Sequence, residues 1–76
     1  AIPDGRRRLA FYLCAQGAED FLLPISREQM ARQLGMNRAA LSRLLGQLRD
    51  EGLLRWERAH FVILRQEELR AIAEDG

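Results

Sequence analysis

The sequence contains one cysteine, Cys14, and one histidine, His60, and its apolar runs extend for only a few residues. A single cysteine cannot form an intramolecular disulfide, and these two residues cannot supply the usual ligands of a structural zinc site. We therefore expect no metal and no cofactor in this domain. The short apolar runs predict neither a membrane-spanning segment nor the core of a signal peptide. The single cysteine fits a reducing compartment, so we expect a cytoplasmic protein that does not contact membranes.

Lysine is absent, and aromatic residues make up only 7% of the chain. All twelve basic residues are arginine, and the net charge of +1 argues against a basic coat that binds nucleic acid over the whole surface. Residues 37–49 nevertheless hold three arginines and no acid, whereas residues 65–76 hold two arginines and four acids. The near-neutral total therefore conceals a polarised molecule.

A length of 76 residues, of which 47% are hydrophobic, is enough for one core, and leucine and alanine must fill most of it. With 30% charged residues to cover this core, we do not expect disorder. The chain begins with Ala1 rather than methionine, so we expect residues 1–76 to form a single domain of a longer protein.

A leading helix is predicted over residues 4–16, where apolar side chains recur at helical spacing before Gly17. Its first turns carry the three arginines at residues 6–8, which could contact a DNA backbone, the solvent or another domain. The sequence leaves these alternatives open. On the same helix, Cys14 is expected to be a small buried hydrophobe.

Two capped helices separated by a glycine turn follow this segment. Ser26 and Gln29 have the spacing of a capping box, and Gly35 stands where the short helix must end. Asn37 is a second N-cap, and leucines follow it at i, i+3, i+4 and i+7, before the next stop at Gly52. The link is too short for the second helix to fold back along the first, so the pair should cross steeply as a helix-turn-helix.

Short apolar runs predict strands on both sides of the helix pair. Residues 53–56 and 61–64 indicate a hairpin whose loop is formed by residues 57–60. Residues 21–25 form another run, which its proline limits to an edge strand or an irregular strand. Residues 65–73 predict a short terminal helix. The expected fold is therefore α+β, with a three-helix core, a short β-hairpin and a short C-terminal helix.

The outer face of the leucine-rich helix has the shape and chemistry expected of a reader of the major groove. Ala39 and Gly46 leave room for a close approach to the bases. Arg43 stands at the centre of the exposed face, with Arg38 and Ser42 on its flank, and the first-turn amides suit a phosphate. The same arginines could equally form a solvated face, but the preceding capped helix and the following hairpin favour DNA.

Residues 26–64, SREQMARQLGMNRAALSRLLGQLRDEGLLRWERAHFVIL, resemble the winged helix-turn-helix domain of the Crp/Fnr family of bacterial transcription regulators. The likeness extends to the leading helix, RRRLAFYL, to the segment FLLPIS and to the closing helix, RQEELRAIA. The resemblance implies a sequence-specific binder of double-stranded DNA, separated here from the sensor domain and dimerisation helix that normally precede it. It also implies a homodimer in the full-length protein, contact with RNA polymerase, and a fragment that can be monomeric.

The resemblance assigns residues of this chain to two sets. The base-reading set belongs to a recognition helix at residues 37–51 and comprises Arg38, Ala39, Ser42 and Arg43. The set that contacts the DNA backbone extends to the wing at residues 57–60 and comprises Ser26, Arg27, Asn37, Gln47 and Arg58. Ala39 replaces the glutamate that reads a cytosine in many members, so the operator of the family cannot be transferred to this chain.

A second hypothesis is a winged helix that docks an acidic protein partner through its arginine face and never reads DNA. The low net charge and the missing glutamate motivate this alternative. An enzyme is not expected, because the sequence shows no Cys/His or Ser/His pairing at useful spacing, no paired carboxylates and no Gly-rich phosphate loop. Trp56 is expected to pack against the hairpin, and His60 to lie on the surface of the wing tip.

Overall fold

The structure is a computed structural model that describes residues 5–74. Its helices are α1 (Gly5–Cys14), α2 (Arg27–Gln33), α3 (Arg38–Asp50) and α4 (Gln66–Glu74). Its strands β1 (Asp20–Leu22), β2 (Leu54–Glu57) and β3 (His60–Ile63) form one antiparallel sheet in the order β1-β3-β2. The predicted α+β winged helix-turn-helix is confirmed, and α4 begins and ends one residue later than predicted. Within residues 5–74, no helix is long and apolar enough to cross a membrane.

Helix α1 ends two residues earlier than predicted. Beyond Cys14 the chain tightens, with hydrogen bonds from the Gln16 amide to the Leu13 carbonyl at 3.3 Å and from the Gly17 amide to the Cys14 carbonyl at 3.4 Å. Bonds of this i+3 type are common at the ends of helices. The predicted start at Asp4 lies outside the described residues. Cys14 itself is half-buried rather than fully buried, and this burial raises the pKa of its thiol.

Helices α2 and α3 begin at the predicted N-caps. Ser26 Oγ accepts a hydrogen bond from the Gln29 amide at 3.1 Å, and the Gln29 side chain accepts one from the Ser26 amide at 3.1 Å. These two bonds complete the capping box. At the start of α3, Asn37 Oδ1 accepts from the Ala40 amide at 2.8 Å. Each bond satisfies a backbone donor that has no acceptor inside its helix.

Both helices end at the predicted glycines. Gly35 and Gly52 have φ values of 71° and 78°, in the left-handed region that glycine adopts without steric cost. After α2, the Met36 amide donates to the Ala31 carbonyl at 2.9 Å, and an equivalent bond of 3.0 Å closes α3. These are Schellman motifs, and the first of them makes the turn between the two helices.

The core consists mainly of leucine, as the composition predicts. The leucine stripe of α3 faces inward, and none of its members is more than 9% exposed: Leu41, Leu44, Leu45 and Leu48. Every other helix and the sheet contribute to the same buried cluster, which includes Leu9, Leu13, Met30, Leu54, Phe61 and Leu69. No polar or charged residue among those described is buried. The fold therefore depends on apolar packing.

The hairpin turn is shorter than the loop predicted at residues 57–60. Glu57 pairs with His60 across β2 and β3, so Arg58 and Ala59 alone form the turn. Arg58 has a φ of 57°, and it is the only non-glycine residue in the described part of the chain with a positive φ. A two-residue hairpin turn needs such a conformation to match the twist of its strands. The chain thus reverses here without a glycine.

An aromatic ladder, formed by Phe21, Phe61 and Trp56, crosses the sheet. The three residues are directly opposite one another in the register of β1, β3 and β2. Their rings stack, with centroids 5.8 Å apart between Phe21 and Phe61 and 5.7 Å apart between Trp56 and Phe61. The expected packing of Trp56 against the hairpin is confirmed. Strand β1 covers only part of the run predicted at residues 21–25 and begins at Asp20.

The arginines at the start of α1 bind other parts of this domain. Arg6 donates from Nη1 and Nη2 to the two carboxylate oxygens of Glu51, at 2.8 and 2.6 Å. Arg7 donates to a backbone carbonyl near the end of α4 at 3.3 Å, and Arg8 donates to one at the end of α2 at 2.9 Å. These contacts within the domain were not among the alternatives that the sequence left open. They attach α1 to the C-terminal ends of the other three helices.

The contact between Arg6 and Glu51 predicts an acid-sensitive contribution to stability. Hydrogen bonding from Arg6 lowers the pKa of the Glu51 carboxyl from its ordinary value of 4.5, partly opposed by desolvation. A carboxyl group whose pKa is lowered in the folded state stabilises the protein at pH values above its ordinary pKa. This contribution is lost as the pH falls through the lowered pKa. In Arg6→Met we expect the pKa of Glu51, measured by carboxyl ¹³C NMR, to rise towards its ordinary value.

Arg32→Met is the matched control for that measurement, because it removes an exposed arginine from α2. The pKa of Glu51 should stay low in this variant. An unchanged pKa of Glu51 in Arg6→Met would contradict the assigned cause.

Candidate nucleic-acid interface

The predicted base-reading residues lie together on the exposed side of α3. Arg38, Ala39, Ser42 and Arg43 are all exposed, whereas the leucine stripe of the same helix is buried. Positions four residues apart lie one above the other on a helix, so Arg38 lies under Ser42, and Ala39 under Arg43. The surface thus combines two guanidinium groups with two small side chains. A helix with this outer face fits the width of the major groove.

The start of α3 presents backbone donors on the same side of the molecule. The Asn37 side-chain oxygen is occupied by the Ala40 amide, whereas the amides of Arg38 and Ala39 precede any acceptor within the helix. First-turn amides and the helix dipole together favour a phosphate. A contact from Asn37 to a phosphate would therefore use its Nδ2 group.

The Asn37 cap also predicts a measurable effect on stability. Asn37→Ala leaves the Ala40 amide without its acceptor, and we expect the free energy of unfolding to fall by about 1 kcal/mol. Urea unfolding measures this loss. Asn37→Asp keeps an acceptor oxygen at the same position and should retain the wild-type stability. Equal stabilities for the alanine and aspartate variants would contradict this role of the cap.

The side chains of Ser26 and Arg27, at the start of α2, both make contacts within the domain. Ser26 Oγ belongs to the capping box. Arg27 Nη2 donates to the Arg58 carbonyl at 2.8 Å, and its guanidinium carbon lies 4.9 Å from the ring centroid of Phe61. Burial and the nearby charge of Arg38 lower the pKa of Arg27. Arg27, the first residue of α2, therefore contacts the wing and lies near Arg38 at the start of α3.

The wing tip is exposed at both of its turn residues. Arg58 and Ala59 lie on the surface, and Arg27 binds the carbonyl of Arg58 rather than its side chain. His60 is exposed as predicted, and its Nε2 lies 2.5 Å from Asp20 Oδ1, a contact that joins β3 to β1. Arg27 thus holds the turn that carries Arg58 to the start of α2, and β3, which follows this turn, pairs with both β1 and β2.

Gln47 and Arg49, in the second half of α3, have different surroundings. Gln47 is exposed one turn after Arg43, in line with the base-reading residues. The guanidinium carbon of Arg49 lies 5.0 Å from the ring centroid of Trp56, so Arg49 faces the wing. In the sequence, Arg49 is one of the three arginines of residues 37–49. Its contact with Trp56 joins α3 to β2. Because the two residues belong to different elements, no local sequence pattern predicts this contact.

A shallow cleft between α2 and α3 adds a basic residue, Arg32, that no motif of the sequence marks. Glu28 and Arg32 of α2 line this cleft, together with Asn37 and Arg38 at the start of α3. Arg32 is exposed and lies in the last turn of α2, close to the helix-turn-helix turn. That place in the sequence is the signal that could have identified it as a candidate for a phosphate contact.

The two residues with the strongest affinity for metals lie in different surroundings. Cys14 lines a groove between α1 and α4 with Arg70 and Glu74, whereas His60 contacts Asp20 at the wing. Across residues 5–74, no group of three or more His, Cys, Asp or Glu side chains could hold a metal ion.

Solved structures of bacterial regulators share this arrangement of helices and strands. FixK2 from Bradyrhizobium japonicum superposes with a TM-score of 0.87 at 24% identity, over 96% of this chain and 40% of its own. The catabolite activator protein of Thermus thermophilus gives 0.78 at 27% identity, over 93% and 34%. A regulator of the crp/fnr family from Eubacterium rectale gives 0.77 at 26% identity, over 92% and 33%. The chain thus spans about a third to two fifths of these proteins.

The family of the chain follows from its sequence as well. No curated protein matches the chain. A family profile described as the Crp-like helix-turn-helix domain, however, matches residues 7–72, which include most of α1, the helix-turn-helix, the wing and most of α4. The chain therefore belongs to the Crp-like helix-turn-helix domains, the DNA-binding domains of Crp/Fnr transcription regulators.

Proposed function

We propose that this domain reads specific sequences of double-stranded DNA, with α3 in the major groove and the wing on the backbone. The observation that carries the proposal is the exposed face of α3, where Arg38, Ala39, Ser42 and Arg43 lie together, in a domain whose wing tip also exposes Arg58. Major-groove recognition requires donors at the centre of such a face and small side chains around them. Phosphate contacts on both sides would fix the orientation of the helix.

Each base-reading residue has a role that follows from its chemistry. The Arg43 guanidinium, at the centre of the face, donates to the N7 and O6 acceptors of a guanine. Ser42 donates to a base edge or a phosphate, and Arg38 lies at the end of the helix that enters the groove first. Ala39 offers only a methyl group, which suits the methyl of a thymine. Without a carboxylate at this position, the domain has no acceptor there for a cytosine amino group.

The proposed contacts with the DNA backbone lie around this base-reading face. Ser26 and Asn37, at the starts of α2 and α3, contribute through first-turn amides and through the donor capacity left after capping. Gln47 contacts a phosphate beyond the base-reading residues, and Arg58 contacts one across the neighbouring groove. Arg27 belongs to the same surface, but its guanidinium is directed at the wing.

In the proposed function, this domain is one part of a longer protein. Residues 1–76 would serve as the DNA-reading part of a homodimeric cytoplasmic regulator that carries a sensor domain and contacts RNA polymerase. One domain alone would then bind a single half-site weakly, because the second set of phosphate contacts is missing. The proposed activity needs neither a cofactor in this domain nor a catalytic step.

A selection experiment tests the proposal. Duplexes with a random central sequence are enriched on the domain at low salt, and the affinities of enriched and scrambled duplexes are compared at two salt concentrations. We expect affinity to fall steeply with salt and the preference for the enriched sequence to persist. No enrichment, with the domain folded, would overturn the proposal and favour the alternative of an acidic protein partner.

A further inference from the structure

The side chain of Arg27, at the start of α2, contacts the backbone of the wing tip. Its Nη2 donates to the Arg58 carbonyl at 2.8 Å, and its guanidinium carbon lies 4.9 Å from the ring centroid of Phe61. Phe61 is fully buried at the centre of the aromatic ladder, so the guanidinium packs against a ring that contacts both neighbouring strands. One end of the contact is therefore the backbone of the turn, and the other is the start of α2.

The backbone of the turn needs such support. Arg58 adopts a φ of 57°, which costs conformational energy for a residue with a side chain. Conformations of this kind persist where the surrounding structure over-determines them. The pairing of Glu57 with His60 provides one constraint, and the hydrogen bond from Arg27 to the strained residue itself provides another.

We propose that Arg27 is a positioning residue, which sets the place of the Arg58 wing tip relative to α3 instead of binding a phosphate itself. The inference rests on the proposed function, because the wing position matters for binding only if Arg58 reaches DNA. It revises the role that the resemblance implies for Arg27. Arg27 is half-buried, and its guanidinium is already engaged in two contacts within the domain.

The chemistry requires arginine rather than lysine at this position. A planar guanidinium can lie over the Phe61 ring and donate sideways to the Arg58 carbonyl in one rigid geometry. The ammonium group of lysine carries the same charge, but it is not planar and does not hold its N–H donors in a fixed forked arrangement. Arg27→Lys therefore separates the two roles, since a phosphate contact needs mainly the charge, whereas the contact with the wing needs the shape.

The first measurement uses the protein without DNA. In Arg27→Met and in Arg27→Lys, we expect the Arg58 carbonyl ¹³C signal and the amide signals of Ala59 and His60 to shift. Arg70→Met, which removes an exposed arginine from α4, should leave these signals in place. Core methyl signals at wild-type positions show that a variant is folded. Unchanged wing signals in folded Arg27→Met would overturn the proposal, whatever the domain does with DNA.

The second measurement uses the salt dependence of duplex binding in a double-mutant cycle. Arg58→Ala should reduce the slope of log K against log salt by about 0.9, the value of one lost phosphate contact. In that background, Arg27→Met should reduce the slope and the affinity no further, because Arg27 acts through the wing. A second reduction of about 0.9 would show that Arg27 binds a phosphate itself and would overturn the proposal.

The two measurements separate the positioning role from the proposed function. If no duplex binds to the wild-type domain, the proposed function fails, and the wing signals alone decide whether Arg27 positions the tip. If duplexes bind and the wing signals shift, but the cycle is additive, DNA binding stands and the positioning role fails.

Discussion

Arg43→Ala is expected to reduce discrimination between the preferred half-site and its single-base variants by about 1–3 kcal/mol, or roughly 5- to 150-fold. Arg43 is exposed at the centre of the outer face of α3, and its forked guanidinium is the group that the proposed function places against a guanine. Alanine at this position keeps the helix intact, because alanine has the highest helix propensity. The loss should therefore appear in specificity and not in folding.

Competition between the preferred duplex and singly substituted duplexes measures this effect. The matched control is Arg58→Ala, which removes an equal charge from the wing tip. This control should weaken binding to all sequences by a similar factor, since phosphate contacts carry no direct base information. If Arg43→Ala keeps the full preference of the wild type, the assignment of Arg43 as a base reader is wrong.

Phe61→Ala is expected to lower the free energy of unfolding by about 3–5 kcal/mol. The Phe61 side chain is 0% exposed, lies between the rings of Phe21 and Trp56, and supports the guanidinium of Arg27. Its removal leaves a cavity at the point where the wing joins the helices. Native domains of this size are stable by only about 4–11 kcal/mol, so this loss would consume much of the total.

Urea unfolding of two variants with the same chemical change tests this expectation. Phe11→Ala is the control, because Phe11 is 65% exposed on α1 and should lose no more than about 0.5 kcal/mol. Similar losses in Phe61→Ala and Phe11→Ala would contradict the central place of Phe61 in the core.

The helical half of the fold could be predicted because its signals are local. Ser26 with Gln29 and the single Asn37 mark helix starts, and each bond they form spans three residues. Gly35 and Gly52 mark the ends for an equally local reason, since the turns after α2 and α3 require positive φ values. The periodic leucines then fixed which side of α3 is buried, and hence which side is available to DNA.

The wing could be predicted in outline but not in detail. The two apolar runs indicated a hairpin, yet the pairing of Glu57 with His60 shortened its turn to Arg58 and Ala59. A two-residue turn normally carries Asn or Gly at the position of positive φ, and Arg58 gives no such signal. The turn length was therefore set by strand register, which depends on partners far apart in the sequence.

The roles of several arginines could not be predicted for the same reason. Arg27 and Arg49 contact aromatic rings of the sheet, and Arg6 contacts the residue that follows α3. In the sequence all three resemble the exposed arginines of a basic face. Only the three-dimensional arrangement separates those used within the domain from Arg38 and Arg43, which the proposed function assigns to DNA.

An amide NMR titration of the domain with a short duplex, at two salt concentrations, tests the central claim most directly. It detects weak binding of a single domain residue by residue. Insertion of α3 into the major groove predicts shifts concentrated at residues 37–47 and around Arg58, smaller at the higher salt concentration, with α4 unaffected. An intact spectrum with no shifts in these two regions would contradict the claim that this surface reads DNA.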